Sequence, residues 1–78
     1  MQLVPASKLR FGDRVSLELG GPIYEIAGVT PDSWNGQEVL KVVGVVEIHV
    51  RYPSGRVVRS QERHEMYVLP EHSCFTVP

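Results

Sequence analysis

The stretch Glu38 to Ser60, EVLKVVGVVEIHVRYPSGRVVRS, constrains this chain more than any other. From Leu40 the even positions Leu40, Val42, Val46, Ile48, Val50 and Tyr52 are apolar, interrupted only by Gly44, while the odd positions run Val39, Lys41, Val43, Val45, Glu47, His49, Arg51. A period of two belongs to a β-strand, because successive side chains point to opposite faces. One face is therefore apolar throughout, and the other turns polar only in its second half. Gly44, in the middle of the run, predicts a bulge or sharp coil that lets one strand serve two sheets and close a barrel.

Tyr52-Pro53-Ser54-Gly55 ends that strand. Proline presets φ at the first central position, serine suits the second, and glycine takes the left-handed position of a type I turn with a following bulge. The segment is a hairpin turn, and Val57 and Val58 bring the chain back beside Ile48 and Val50 with Arg56 and Arg59 in solvent.

Before this hairpin, Met1 to Leu9 predicts a segment lying against the barrel, with Leu3 and Leu9 inward and at most one helical turn. Strict alternation over Arg14 to Leu19 predicts a half-buried strand with Val15, Leu17 and Leu19 in the core. Gly20-Gly21-Pro22 breaks it, and Ile23 to Val29 resumes as the second arm of a hairpin with Gly28 as a bulge. Thr30 to Gln37, rich in turn formers and closed by Asn35-Gly36, reads as the longest connection. After the organising hairpin, Ser60 to Glu65 extends the returning strand or loops out, Met66 to Leu69 is again β, Pro70 to Ser73 turns, and Cys74 to Val77 forms a last short strand.

The result is one domain, residues 1–78, all-β: a small antiparallel barrel or rolled sheet of five to seven short strands. At 78 residues the chain has a small core and little room for a deep catalytic cleft. Hydrophobic residues at 42% and charged residues at 22% are ordinary for a globular protein and argue against a disordered chain. No stretch approaches the roughly 18 apolar residues of a membrane span, and the first twenty residues lack a signal-peptide pattern. The expectation is a cytoplasmic protein without a membrane partner. Its own start methionine suggests a free-standing accessory protein.

Leu9-Arg10-Phe11-Gly12-Asp13-Arg14-Val15 resembles the entry to small Src-homology-three-type barrels of the Tudor and KOW kind, where a Gly-Asp-x-Val start leads to a hairpin ending in Gly-Val. The matching positions are Gly12, Asp13, Val15, Gly28 and Val29, within about the first thirty residues. The resemblance implies a small β-barrel and carries over no functional residue.

Four constellations bear on function. His49, His64, His72 and Cys74 are metal-capable, but none has the paired spacing of a zinc site, and neither a metal nor a cofactor is expected. Cys74 near His72 or His64 imitates a Cys/His pair, yet nothing at hand would activate the thiol, and a packed apolar cysteine is the better reading. Residues 49–63 form a basic hairpin in which Arg51, Arg56, Arg59 and Arg63, with Tyr52 nearby, suit a phosphate backbone. Between Lys41 and His64 the local balance is +3 in a chain of net charge −1, so solvated charges that protect an edge strand compete with that reading. Finally, Trp34 either plugs one end of the barrel or stands out as a binding anchor. Val39, Val43 and Val45, apolar on the face that should be solvent, are covered by the N-terminal segment or by a second subunit. The expectation is a non-enzymatic interaction module binding a protein partner or itself, with nucleic-acid binding by the basic hairpin as the alternative.

Overall fold

A computed structural model describes residues 2–77 and consists of one six-stranded antiparallel sheet. The strands are β1 (Gln2–Pro5), β2 (Arg14–Ser16), β3 (Ile23–Trp34), β4 (Gln37–Arg51), β5 (Val57–Val68) and β6 (Ser73–Thr76). Their order across the sheet is β1-β6-β2-β3-β4-β5. The two outermost strands do not pair with each other, so the sheet is rolled and open, and the barrel alternative is set aside. The only helical element among the described residues is a 3-10 turn at Ala6–Lys8.

The core lies inside the roll, where Ala6, Leu9, Val15, Ile26, Leu40, Val42 and Cys74 meet, flanked by Val4, Leu17, Val29, Met66 and Val68. Fully burying side chains the size of Val15, Ile26 or Val42 contributes roughly 1.5–3 kcal/mol each. β1 enters this core through Val4, which pairs with the buried Cys74. Leu3 is exposed, contrary to expectation, because it is the neighbour of Val4 on a strand and so must face the other way.

β2 is shorter than the alternation over Arg14 to Leu19 predicts. Ser16 is buried and its hydroxyl donates to the Glu18 carbonyl, which also accepts from Gly21 N–H. That local hydrogen bonding curls the chain out of the sheet and leaves Leu19 exposed.

β3 is where the sheet divides its labour. Its first residues pair with β2, and from Glu25 to Trp34 it pairs with β4. The register slips between Ile26 and Gly28, so Ala27 is the extra residue of a β-bulge, which bends the strand and tightens its twist. This bulge does what the sequence pattern assigns to Gly44. Gly44 itself stays in register, opposite Ile26 on one side and His64 on the other.

Thr30 to Gln37 is not a long connection. Pairing continues to Trp34↔Gln37 around a two-residue turn, with Asn35 at φ 50° and Gly36 at φ 78°. Both central residues are left-handed, as a type I′ hairpin turn requires, and Asn-Gly is its preferred pair. Pro31 is tolerated within β3 because β2 pairs only with Ile23 to Glu25, so the later part of the strand has a free flank that does not miss the N–H.

Candidate functional site

β4 outruns β3. Pairing between them stops at Glu25↔Val45, whereas β4 and β5 remain paired from Leu40↔Val68 out to Arg51↔Val57. Residues 46–62 therefore form a two-stranded ribbon that leaves the sheet. Its tip closes as the sequence predicts: Gly55 N–H donates to the Tyr52 carbonyl at 2.9 Å, Tyr52 N–H donates to the Arg56 carbonyl at 2.9 Å, and Gly55 sits at φ 89°. The polar passage Ser60 to Glu65 lies within β5.

The ribbon's two faces differ. Alternation along β4 and β5 puts Val46, Ile48, Val50 and Val58 on the face continuous with the core, and Glu47, His49, Arg51, Val57, Arg59, Gln61 and Arg63 on the other. Of the four arginines expected to act together, Arg51, Arg59 and Arg63 thus share the outer face. Arg56 lies at the tip with Tyr52, Pro53, Ser54 and Val58 around an open hollow of about 530 Å³. The outer face is not purely basic, since Glu47 lies 3.5 Å from Arg59 and 3.7 Å from His49.

At the opposite end of β3, β4 and β5 the outer face is aromatic. Trp34 on β3 and Tyr67 on β5 approach across β4, with ring centroids 5.8 Å apart and an interplanar angle of 37°. Between them lies Val39, and with Val68 and Leu69 they line a hollow of about 280 Å³. Trp34 is 60% exposed and Tyr67 46%, so the indole does not plug the roll. Beside this patch Lys41 and Glu65 form an ion pair at 3.6 Å. Tyr67 escapes sequence reasoning because only the three-strand register brings it next to Trp34.

Val39 and Val43 are each 7% exposed and Val45 is half-buried. Little of the first two is left for a second subunit to cover.

The metal- and nucleophile-capable side chains do not converge. His72 Nε2–H donates to the Leu17 carbonyl at 2.8 Å, His64 bonds Glu62 at 3.0 Å, and His49 lies beside Glu47. Among the described residues no group of three His, Cys, Asp or Glu side chains is placed to hold a metal ion. Cys74 is fully buried, and burial pushes its thiol above the ordinary pKa, away from the reactive thiolate. Its Sγ–H points to the His72 carbonyl at 3.6 Å. No helix among the described residues is long and apolar enough to cross a membrane.

Comparison of the chain with protein-family models, with curated proteins and with solved structures finds no match.

Proposed function

We propose that this chain is a non-enzymatic interaction module, a small accessory or regulatory protein of the cytoplasm that binds a protein partner or itself. The observation that carries this reading is the exposed Trp34–Tyr67 pair over Val39. Tryptophan and tyrosine dominate binding energy where they cluster, because each removes a large apolar area from water while losing little side-chain entropy. A protein this small exposes such a pair at a cost in solubility, which a partner would offset. Co-purification from the native host, with and without nuclease, tests it. Wild type should retain a protein partner that Trp34→Ala and Tyr67→Ala lose while keeping the wild-type circular dichroism. Identical recovery with all three proteins would refute a role for this patch.

A second reading is favoured by a different observation. Arg51, Arg59 and Arg63 share one face of β4–β5, the first two on the ribbon that stands free of β3 and Arg63 at its base opposite Val45, and a two-stranded ribbon fits the major groove of duplex DNA. Under that reading, nuclease treatment rather than loss of the aromatic pair abolishes co-purification.

A further inference from the structure

We propose that the core-side face of the β4–β5 ribbon is a self-complementary interface, and that a second copy of this chain covers it in an antiparallel, two-fold arrangement. This deepens the reading of the chain as an interaction module by naming one partner, but it stands on a different surface from the aromatic patch.

Shape is the first ground. A compact monomer of 8.7 kDa exposes about 4,700 Å², whereas this chain exposes 5697 Å². Its radius of gyration is 14.3 Å, against about 11.5 Å for a compact domain of this length. The excess surface, on the order of 1,000 Å², is spread over the whole elongated molecule, and the core-side face of the ribbon holds part of it, with Val50 36% exposed and Val46, Ile48 and Val58 half-buried. The ribbon accounts for the elongation, since β3 does not accompany it beyond Val45. A two-stranded ribbon is marginal by itself in water, and an apolar face on it calls for cover.

Charge placement is the second ground, and it selects the occupant. Glu47, Arg51, Arg59 and Arg63 are all on the outer face, so none is buried when the core-side faces meet. That core-side face carries Val46, Ile48, Val50 and Val58 in its middle, with Ser60 opposite Ile48, Arg56 at its tip and, at its base opposite Val46, Glu62, whose carboxylate is shared with His64 at 3.0 Å. Two such faces related by a two-fold axis crossing the strands near His49 place the tip of each ribbon over the base of the other. Arg56 of one copy then meets Glu62 of the next, twice by symmetry, with β4 over β4 and the valines and isoleucines between. The closed symmetry needs no third copy and leaves no repeating open contact. Both outer faces, and both Trp34–Tyr67 patches, remain free.

Sedimentation velocity over a range from micromolar to about millimolar protein tests the proposal on the full chain. Wild type should be a dimer, and Ile48→Lys a monomer with the wild-type circular dichroism spectrum. Arg56→Glu should weaken the dimer at least tenfold, and Arg56→Glu combined with Glu62→Arg should restore it, which a folding defect cannot mimic. For placement, single cysteines at Val46, Ile48, Val50 or Val58 should yield disulfide-linked dimers under mild oxidation faster than His49→Cys or Arg59→Cys, the buried Cys74 staying out of the reaction. A wild type that is monomeric throughout overturns the proposal, as does a dimer unaffected by Ile48→Lys, which would point to pairing along the free edge of β5. Either result leaves Trp34-dependent capture of another protein standing, so the two readings fail separately.

Discussion

Tyr24 lies across Gly44. A Cβ built on Gly44 would stand 2.8 Å from the Tyr24 Cβ and 3.1 Å from the ring. The same tyrosine ring reaches on to His64, with centroids 5.6 Å apart. Because Gly44 pairs with His64 on β5 and with Ile26 on β3, Tyr24 crosses the diagonal over the one position of β4 that has no side chain. An aromatic ring laid over a cross-strand glycine replaces the packing that the glycine lacks.

Gly44→Val should therefore destabilise the protein by about 1–3 kcal/mol, the cost of overpacking. Equilibrium urea denaturation measures it. The clash is with the Cβ and the ring of one side chain, so Tyr24→Gly, which removes both, should relieve it, and the double variant should be less destabilised than the two single changes predict together. Strict additivity would mean that the glycine is required by the backbone and not by Tyr24.

The turn at Asn35-Gly36 invites a second test. Asn35 holds φ 50° with a side chain present, and Gly36 holds φ 78°. Asn35→Val puts a β-branched residue in the left-handed region, at a cost on the order of 1–2 kcal/mol. The aromatic pair should report it first, because Trp34 immediately precedes the turn. Tryptophan fluorescence should shift to the red well below the main unfolding transition, and a single coincident transition at wild-type position would contradict this.

These positions also show how far the sequence could be read. The turn at Tyr52 to Gly55 and the length of β4 were legible because each rests on local chemistry: proline and glycine at fixed offsets, and a period of two. Thr30 to Ser33 was opaque for the opposite reason. Proline, aspartate and serine disfavour strands locally, and only the pairing with β4, together with an unoccupied flank on β3, overrides that preference. Gly44 was singled out correctly and its reason was not, since a glycine that makes room for a ring and a glycine that makes a bulge look alike until the diagonal neighbour is known. At the candidate site, Trp34 and three of the ribbon arginines could be named from the sequence. Tyr67 and the opposite placement of Arg56 depend on register, which composition does not encode.

Cys74 gives a pH-dependent expectation. Its thiol is raised above the ordinary value by burial, so the folded state holds the proton more tightly than the unfolded chain. The sign follows from proton counting: the stability this contributes is fully present below the unfolded thiol pKa, about 8.5, and declines as pH rises through the folded value. Thermal melts of wild type and Cys74→Val should diverge only above about pH 8.5, wild type losing stability faster. Parallel curves to pH 10 would remove the thiol from the account. Alkylation of native protein at pH 8 should likewise be slow until denaturant is added.

The basic face of the ribbon makes a quantitative demand on the nucleic-acid reading. With Arg51, Arg59 and Arg63 on that face, at most three phosphates are neutralised, and each contributes a slope of about −0.9 in log K against log salt on duplex DNA. The expected slope is therefore about −3, reduced to about −2 by Arg59→Ala. Arg59 is also the arginine closest to Glu47, at 3.5 Å, so its engagement requires giving up that ion pair. The pair is exposed and worth about 1 kcal/mol at most, so Glu47→Gln should raise affinity without steepening the slope by a full unit. Arg56→Ala serves as the contrast, because Arg56 lies at the tip beside Tyr52 and Val58 and should leave the slope unchanged. Fluorescence anisotropy with a labelled duplex between 20 and 200 mM salt reads all four proteins. Absence of binding at the low-salt end, where counterion release is most favourable, would assign the outer arginines to keeping the ribbon soluble.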